Sequence, residues 1–485
     1  MEDIISLISN YIWSVALIAL CVFAGLYFSV RLRFMQFRYL PTMMKILFKK
    51  EYSKQGISPF QAFSLAISGR VGTGNIVGVA TAIALGGPGA VFWMWCIAIL
   101  GAASAFVEST LGQVYKQELN GQYRGGPAFY IEKGLGIKWY AILFAVVTII
   151  SCGFLLPGVQ SNSISSSMSN AFNINSFQVL GYDFNIIGTL VIVLLGIIIF
   201  GGVKRLGKIA EIIVPFMAGI YFLMVLYIIG VNVHRIPEIF SLIFNSAMSF
   251  DATFGGIVGS AIAWGVKRGV YSNEAGQGTA PHAAAAAEVN HPAEQGLVQA
   301  FSIYIDTLIM CTCTALMILF TNSYNVIDEG TQQMLVENLT GKDYTQFTQS
   351  AVSSHFTYFG NEFVAVALFF FAFTTIMAYY YYAETNITYV FKNQRYTKIF
   401  IWILRFGFLG ATYIGTVREA QLAWQIGDIG VGLMAWVNII AILLLSNVTI
   451  KVWEDYEDQK RNGISPPTFN AKKLGIKGAK FWEKD

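Results

Sequence analysis

Long apolar stretches recur along the whole chain, and they restrict the possible folds more than any other feature. Of the 485 residues, 55% are hydrophobic and only 12% are charged, whereas an ordinary soluble domain carries about 25% charged residues. Lipid is the only surrounding that tolerates this much apolar surface. The composition therefore predicts an all-α polytopic membrane protein and excludes a water-soluble enzyme, a disordered protein and a coiled coil.

Hydropathy windows of about 19 residues locate the membrane spans. They predict about eleven spans with approximate limits 11–30, 59–86, 89–115, 139–167, 184–201, 208–231, 252–290 (interrupted), 296–320, 359–391, 399–416 and 423–450. The first apolar run follows the acidic residues Glu2 and Asp3 and continues to Arg31 without a small-residue cleavage site. It is therefore predicted to be a retained helix rather than a signal peptide.

Lysine and arginine are distributed unevenly between alternate connections. One set contains 25 of the 32 cationic residues and comprises 31–54, 116–138, 204–208, 392–398 and 451–484. The other set contains only Arg235, Lys342 and Arg418. By the positive-inside rule, this predicts a multi-pass protein of the cell (plasma) membrane with its N-terminus outside and its C-terminus in the cytoplasm. That orientation requires an odd number of spans, which eleven satisfies.

Two of the predicted spans are interrupted by glycines and polar residues. The second contains Gly69-Arg-Val-Gly-Thr-Gly-Asn75, and the seventh contains Ser272-Asn-Glu-Ala-Gly-Gln-Gly278. The alternative interpretation is close helix packing, for which Gly74 has the required four-residue spacing to the next glycine. Irregular backbone at membrane depth must be buried in protein or line a cavity. Because paired broken helices mark the binding site of transporters, a binding site is favoured.

Four long motifs, two of which overlap these interruptions, resemble the alanine/glycine:cation symporter family. They read VGTGNIVGVATAIALGG (71–87), GGPGAVFWMW (86–95), YSNEAGQGTAPHAAAAAE (271–288) and IDTLIMCTCTAL (305–316). The resemblance implies the five-plus-five inverted-repeat fold of sodium-coupled amino-acid transporters, with one extra N-terminal helix. The expected divisions are 1–58 for the extra helix and a basic loop, 59–231 and 232–450 for the two repeats, and 451–485 for a basic cytoplasmic tail.

The first interruption is the predicted site for the carboxylate of an amino acid. Free N–H groups at the start of a half-helix bind anions, and Thr73, Gly74 and Asn75 offer them. The substrate ammonium needs oxygen acceptors, which the side chains of Gln160 and Asn273 could supply.

A lone glutamine in an apolar helix could instead only bridge two helices. The family uses a glutamine in this string, so the resemblance favours a substrate role for Gln160. It also implies that Ile164, one turn later, touches the substrate side chain.

The ninth span carries the predicted Na⁺ site. Thr374 and Thr375 follow Phe371 by three and four residues, so one helical face offers a carbonyl and two hydroxyls. Backbone oxygens of Ser68 and Val71 at the first interruption complete five ligands. Threonine in membrane helices usually only bonds its own i−4 carbonyl, but the position opposite the interruption and the family pattern favour an ion site. No other cofactor is predicted, and H⁺ remains the alternative coupling ion.

This span departs from the family pattern at the substrate pocket. Many members read Gly-Trp and then Gly before the glutamate, whereas this chain has Ala378-Tyr379 and Ala383. Thr375 and Tyr379 lie one turn apart and are both predicted to line the pocket. The predicted substrate is alanine or glycine, and the alternative is a larger polar amino acid such as glutamine.

Charged residues within or beside the spans are candidates for function by default. They are Arg70, Glu108, Glu211, Lys267, Arg268, Asp306 and Arg405. We expect most of them to form ion pairs that hold the broken spans in register. The predicted pairs join Arg70 or Arg268 to a carboxylate of Glu108, Glu274 or Asp306. If the coupling ion is H⁺, Asp306 is the candidate proton site.

A secondary symporter explains the paired interruptions best. A channel would favour repeated pore segments or rings of like charge, and the sequence has neither. An intramembrane enzyme would need a catalytic set, and the histidines are scattered at His234, His282, His291 and His355. The predicted partners are an amino-acid substrate and membrane lipid; the net charge of +4 gives no reason to expect nucleic acid, and no obligate protein partner is indicated.

Overall fold

The computed structural model describes residues 2–48, 56–119, 121–174, 177–179, 182–200, 202–248, 257–391 and 394–483. Most of these residues are helical. The α-helices are α1 (Glu2–Ile12), α2 (Val15–Arg31), α3 (Met35–Arg38), α4 (Leu40–Leu47), α5 (Pro59–Arg70), α6 (Val79–Gly86), α7 (Gly89–Val114), α8 (Pro127–Tyr130), α9 (Lys138–Ile150), α10 (Leu156–Phe172), α11 (Ile186–Ile199), α12 (Gly202–Val231), α13 (Ile236–Ala247), α14 (Val258–Asn273), α15 (Ala280–Ala286), α16 (Pro292–Ile303), α17 (Thr312–Phe320), α18 (Phe347–Ser353), α19 (Gly360–Val390), α20 (Gln394–Thr416), α21 (Ala420–Leu444) and α22 (Ser446–Arg461).

Shorter elements join these helices. In the described ranges, π-helical segments cover Gly74–Gly78, Ile131–Leu135, Ser151–Leu155 and Tyr304–Cys311, and 3₁₀ turns cover Val233–Arg235, Tyr344–Gln346 and Lys480–Trp482. Three antiparallel hairpins pair β1 (Gln117–Leu119) with β2 (Gln122–Arg124), β3 (Phe177–Val179) with β4 (Tyr182–Phe184), and β5 (Asn325–Ile327) with β6 (Met334–Glu337). The hairpins lie in connections, so they are small additions to the predicted all-α architecture.

The predicted polytopic membrane architecture is confirmed in its main feature. Within the described ranges, eight helical stretches are long and apolar enough to cross a membrane. They coincide with eight predicted spans and cover Asp3–Arg31, Gly89–Val114, Lys138–Phe172, Arg205–Val231, Pro292–Phe320, Gly360–Val390, Arg395–Thr416 and Ala420–Leu444. The fifth predicted span corresponds to the shorter helix α11. The predicted start of the seventh span (252–256) and parts of the basic connections 31–54, 392–398 and 451–484 lie outside the described residues.

The second predicted span is interrupted where the sequence indicates. A capping box formed by Ser58 and Gln61 starts α5, with a proline at its first position. The helix ends at Arg70, and the next residue has φ −75° and ψ 86°, outside the helical region. Helical structure resumes as the π-helical segment Gly74–Gly78 and continues into α6.

The seventh predicted span is interrupted by a series of left-handed residues. After α14 ends at Asn273, Glu274 has φ 55°, and Gly276 and Gly278 both have φ 82°. Glycine adopts this conformation without the steric cost that a Cβ would impose. The chain then turns into the second half-helix, α15.

The two interruptions lie next to each other in the core. A Cβ built on Gly74 would lie 3.2 Å from the Ser272 Cα and 3.2 Å from a ring carbon of Tyr271. The first broken segment also packs against α12 and α19, and the second packs against α7. Long unbroken helices therefore enclose both interruptions.

Candidate functional site

The hydroxyl of Thr375 joins α19 to the first interruption. Its Oγ1 lies 2.8 Å from the carbonyl oxygen of Ser68 and 3.4 Å from that of Val71. On its own helix, the same atom lies 3.0 Å from the carbonyl oxygen of Phe371. Thr375 is fully buried. Four of the five residues predicted to bind Na⁺ are therefore gathered around one atom.

Thr374, the fifth predicted ligand, bonds within its own helix. Its Oγ1 lies 2.9 Å from the Phe370 carbonyl oxygen and 3.0 Å from that of Phe371. This is the usual back-bonding of threonine in membrane helices. Because Thr374 and Thr375 share the Phe371 carbonyl, all five predicted ligands form one connected group.

The oxygens around Thr375 include more acceptors than donors. One hydroxyl has one proton to donate, so it can satisfy only one of the three carbonyl oxygens near it. The Ser68 hydroxyl donates to the Leu65 carbonyl oxygen at 2.7 Å and does not contribute. Converging carbonyls at an unwound segment are the arrangement that coordinates Na⁺ in broken-helix transporters. The residues present therefore fit a small cation.

Side-chain amide oxygens hold the backbone N–H groups of the first interruption. The Gly72 N–H donates to Asn75 Oδ1 at 2.9 Å, and the Thr73 N–H donates to Gln160 Oε1 at 3.0 Å. A Cβ built on Gly72 would meet both Gln160 and Thr375. The structure thus brings α10 and α19 onto the same turn, and it joins three predicted substrate residues, Thr73, Asn75 and Gln160.

Buried polar atoms without partners also lie at this turn. Among the described residues, the Thr73 Oγ1 and the Tyr382 hydroxyl have no hydrogen-bond partner. The Tyr382 hydroxyl lies 2.7 Å from a Cβ built on Gly69, so it faces the first broken segment. Unsatisfied polar atoms in a buried site are costly unless a ligand or water pairs with them.

Two more predicted substrate residues are buried on the helices that close onto this turn. Ile164 lies on α10 and Tyr379 on α19, with 0% and 2% exposure. The Tyr379 ring lies 6.4 Å from the ring of Tyr382, centroid to centroid. Tyr379 thus lies beside Tyr382, whose hydroxyl faces the first broken segment.

Asn273 faces a different part of the protein. Its Oδ1 accepts a hydrogen bond from the Ala275 N–H at 2.9 Å. Its Nδ2 lies 3.8 Å from a Cβ built on Gly101, so the side chain is directed at α7. Asn273 therefore braces the second interruption, and among the described residues its Nδ2 has no hydrogen-bond partner.

Asp306 connects the two interruptions through hydrogen bonds. Asn75 Nδ2 donates to Asp306 Oδ1 at 2.7 Å, and Ser272 Oγ lies 3.2 Å and 3.0 Å from the two carboxylate oxygens. The Thr307 hydroxyl donates to Oδ2 at 2.7 Å. Asp306 is fully buried.

The predicted ion pairs between the two arginines and Glu108, Glu274 or Asp306 are wrong. Arg268 binds the carboxylate of Asp428 on α21 with two nitrogens, at 2.7 Å and 3.1 Å, and Lys267 binds the same carboxylate at 2.8 Å. Arg70 Nη1 instead contacts the Gln299 carbonyl oxygen at 3.3 Å and the hydroxyl of Ser302.

The carboxylates in those predicted pairs bind neutral donors. Glu108 Oε2 accepts from the Gly278 N–H at 3.1 Å and from Asn438 Nδ2 at 2.8 Å. Glu274 Oε2 accepts from the Thr279 hydroxyl at 2.8 Å. These contacts brace the second interruption, because a carboxylate can satisfy backbone N–H groups that an unwound segment leaves free.

The ion-paired residues Lys267, Arg268 and Asp428 line a cavity of about 300 Å³. The Arg268 guanidinium lies 4.6 Å from the ring centroid of Trp424, and this ring is 3.6 Å from a Cβ built on Gly78 in the first broken segment. The polar connection 321–358 reaches the same cavity, where Glu329 accepts from the Trp264 indole at 2.9 Å. Thr81 and Leu85 of α6 also line this cavity, so it reaches the half-helix that follows the first interruption.

Sequence reasoning missed two residues beside this site. The Tyr382 hydroxyl faces the first broken segment and Asp428 pairs with Arg268 on α14, and neither residue was predicted to do so. Asp428 could have been found, because an aspartate inside the apolar run 423–450 is as unusual as the other intramembrane charges.

The chain is similar in sequence to a known family of membrane carriers. A profile described as the sodium:alanine symporter family matches residues 1–471. The putative sodium/proton-dependent alanine carrier protein YrbD of Bacillus subtilis (strain 168) is 55% identical over 100% of this chain and 98% of its own length. The sodium/proton-dependent alanine carrier protein of Bacillus sp. (strain PS3) is 50% identical over 91% of this chain and 97% of its own length.

A third relative has a different named substrate. The probable sodium/glutamine symporter GlnT of Bacillus subtilis (strain 168) is 42% identical over 99% of this chain and 96% of its own length. These relatives are carriers and symporters, so the prediction of a symporter rather than an enzyme is confirmed. The chain belongs to the sodium:alanine symporter family.

Proposed function

We propose that this protein imports a small neutral amino acid of the alanine class together with Na⁺, by alternating access. The observation that carries the proposal is the Thr375 hydroxyl, which lies 2.8 Å from the Ser68 carbonyl oxygen across two separate elements. An ion bound there is held by α19 and by the first broken segment at once. Na⁺ binding therefore favours the conformation in which these elements touch, which is the differential affinity that coupling requires.

The substrate carboxylate would bind at the turn that follows Val71. The Thr73 N–H, now bonded to Gln160 at 3.0 Å, becomes available when an incoming carboxylate displaces the amide oxygen. The displaced Gln160 oxygen is then free to accept from the substrate ammonium. A zwitterion thus replaces one internal hydrogen bond with two complementary ones, and the Thr73 hydroxyl without a partner gains a carboxylate to which it can donate.

Glutamine is the second candidate substrate. The position of Tyr379 beside Tyr382 supports glutamine, because a phenol offers a hydroxyl where many family members have an indole. The similarity to a probable sodium/glutamine symporter at 42% identity also favours this alternative.

The proposed architecture has about eleven spans, with repeats at 59–231 and 232–450. Each proposed repeat opens with an interrupted helix at a corresponding position, as in inverted-repeat transporters. The concentration of 25 cationic residues in one set of connections supports an N-terminus outside and a C-terminus in the cytoplasm. Cysteine labelling of single sites in 321–358 and 451–485 on intact cells tests this orientation.

Uptake into proteoliposomes tests the proposal. Labelled alanine, glycine and glutamine are offered under an inward Na⁺ gradient or an inward pH gradient, each imposed alone. We expect alanine to accumulate under the Na⁺ gradient and to be chased by excess unlabelled alanine. Accumulation of none of the three amino acids under the Na⁺ gradient would contradict Na⁺ coupling, and preferential uptake of glutamine would select the second candidate.

A further inference from the structure

Asp306 is a buried carboxylate that contacts both broken segments. On the first segment its partner is Asn75, whose side-chain N–H lies 2.7 Å from Oδ1. On the second its partner is Ser272, whose hydroxyl lies 3.0 Å from Oδ2. Asp306 itself lies in the π-helical segment Tyr304–Cys311, a kind of irregularity that is frequent at functional sites.

No charge of opposite sign is paired with this carboxylate. In the part of the chain that the structure describes, no lysine, arginine or histidine forms an ion pair with Asp306. The charged and titratable groups that face it are Arg70 from α5, Glu274 after α14, and Cys311 on its own segment. The Arg70 guanidinium binds Gln299 and Ser302 instead, and Glu274 adds a second negative group. A buried carboxylate in such surroundings is a natural place for a proton.

We propose that Asp306 binds a proton that acts as a second coupling ion beside Na⁺, and that it takes this proton up when an amino-acid carboxylate enters the first interruption. This inference rests on the proposed function. Asn75 links the two events directly, because its Oδ1 holds the Gly72 N–H at 2.9 Å while its Nδ2 holds Asp306. A substrate carboxylate bound to the Thr73 N–H would add a further negative charge to this buried site, while the substrate ammonium would be held by Gln160 on α10.

Two buried carboxylates in proximity disfavour double ionisation, so a proton is bound by the pair. The proton comes from water, forms an O–H bond at Asp306, and is released when the amino acid leaves. Oδ2 is the oxygen suited to carry it. Oδ1 accepts from the Asn75 amide, which can only donate, and lies 3.2 Å from the Ser272 hydroxyl. Oδ2 lies closer to two hydroxyls, those of Ser272 at 3.0 Å and Thr307 at 2.7 Å, and both can turn and accept.

Glu108 provides a matched control, because it is also a fully buried carboxyl group. Its partners are the Gly278 N–H, at the second interruption, and Asn438 on α21. No hydrogen bond joins it to the described residues of the first interruption. Glu108→Gln should therefore leave the proton dependence of substrate binding unchanged, while Asp306→Asn should remove it.

The test measures alanine affinity of the full-length protein in detergent between pH 6 and pH 8, at constant saturating Na⁺. In the wild type we expect affinity to rise as pH falls, by up to roughly tenfold per pH unit. Asp306→Asn should bind alanine with the same affinity at every pH, and its uptake driven by a pH gradient alone should be lost. Asp306→Glu should restore a pH dependence, since it restores a titratable group.

Three outcomes would overturn this inference. They are a wild type without any pH dependence, an Asp306→Asn variant that keeps it, and a Glu108→Gln variant that loses it equally. If Asp306→Asn does not fold, the Asp306→Glu variant must shift the pH midpoint of binding, and an unchanged midpoint would refute the assignment. A wild type that responds to pH but shows no Na⁺-driven uptake would contradict the proposed function instead.

Discussion

The Thr375 hydroxyl lies 2.8 Å from the carbonyl oxygen of Ser68, and this hydrogen bond joins α19 to the end of α5. The two residues are 307 positions apart in the chain. Because α5 stops two residues later, its last carbonyls lack helical partners and are free to face α19. The interruption thus creates the acceptors, and the threonine brings them together.

Thr375→Val should weaken Na⁺-dependent uptake strongly. Valine keeps the shape of threonine but removes the one hydroxyl that contacts both elements, and a lost interaction at a buried site costs roughly 1–3 kcal/mol. The Na⁺ concentration that gives half-maximal uptake should therefore rise by about tenfold or more. Thr374→Val, the matched variant one residue earlier, should have a smaller effect, because that hydroxyl bonds its own helix.

Replacing both threonines by alanine should abolish ion-driven uptake. The fold is checked by size-exclusion chromatography and thermal unfolding in detergent. An unchanged Na⁺ dependence in the double variant would show that the cation binds elsewhere.

Gly74→Val should prevent substrate binding. Its Cβ would lie 3.2 Å from Ser272 Cα and 3.2 Å from the Tyr271 ring, so the two interruptions would have to separate. The branched side chain also restricts the backbone next to the proposed carboxylate site. Gly196→Val is the matched control, because a Cβ at this position on α11 meets nothing within 4 Å. Alanine binding by isothermal titration calorimetry checks the prediction, and normal affinity in a folded Gly74→Val variant would contradict the site.

His291, at the start of α16, should make the protein sensitive to mild acid. Its Nδ1 accepts from the Ala293 N–H at 3.2 Å, so the ring proton is on Nε2, which lies 3.1 Å from Asp455. Burial lowers the pKa of His291 below its usual value, although Asp455 opposes the shift. The folded state therefore binds this proton less well than the unfolded state, and stability is lost as pH falls below about 6.5.

The measurement compares thermal unfolding of the wild type and His291→Asn at pH 8 and pH 5.5. Asparagine can still accept from the Ala293 N–H but does not titrate. We expect the wild type to lose roughly 1–3 °C more than the variant between the two pH values. Equal losses in both proteins would show that His291 is protonated without cost in the folded state.

Local sequence patterns were sufficient for eight of the predicted spans and for the positions of both interruptions. Hydropathy identifies an apolar helix without knowledge of its neighbours. Glycine adopts a positive φ most readily, so the glycines after Ser272 indicate the second interruption. The shared face of Phe371, Thr374 and Thr375 was also accessible to sequence reasoning, because their spacing repeats along one side of a helix.

Partners between distant elements could not be predicted in this way. Arg268 pairs with Asp428, which is 160 positions further along the chain, and nothing in the local pattern selects this carboxylate over Glu108. The direction of Asn273 was equally hidden. Its place at the second interruption was correct, but side-chain capping of the Ala275 N–H turns it towards α7.

Tyr379→Trp should shift the preference towards smaller amino acids. Tyr379 is 2% exposed and lies one turn after Thr375 on the same face of α19. Indole is larger than phenol, and its N–H only donates, whereas a hydroxyl can also accept. A glutamine side-chain amide would lose both space and an acceptor, while alanine would lose neither.

The loss of one hydrogen bond at a desolvated site is worth roughly 1–3 kcal/mol, or about tenfold to a hundredfold in relative affinity. Competition by glutamine and alanine against labelled alanine measures this ratio, with Tyr379→Phe as the variant that removes only the hydroxyl. Identical ratios in all three proteins would show that Tyr379 does not face the substrate.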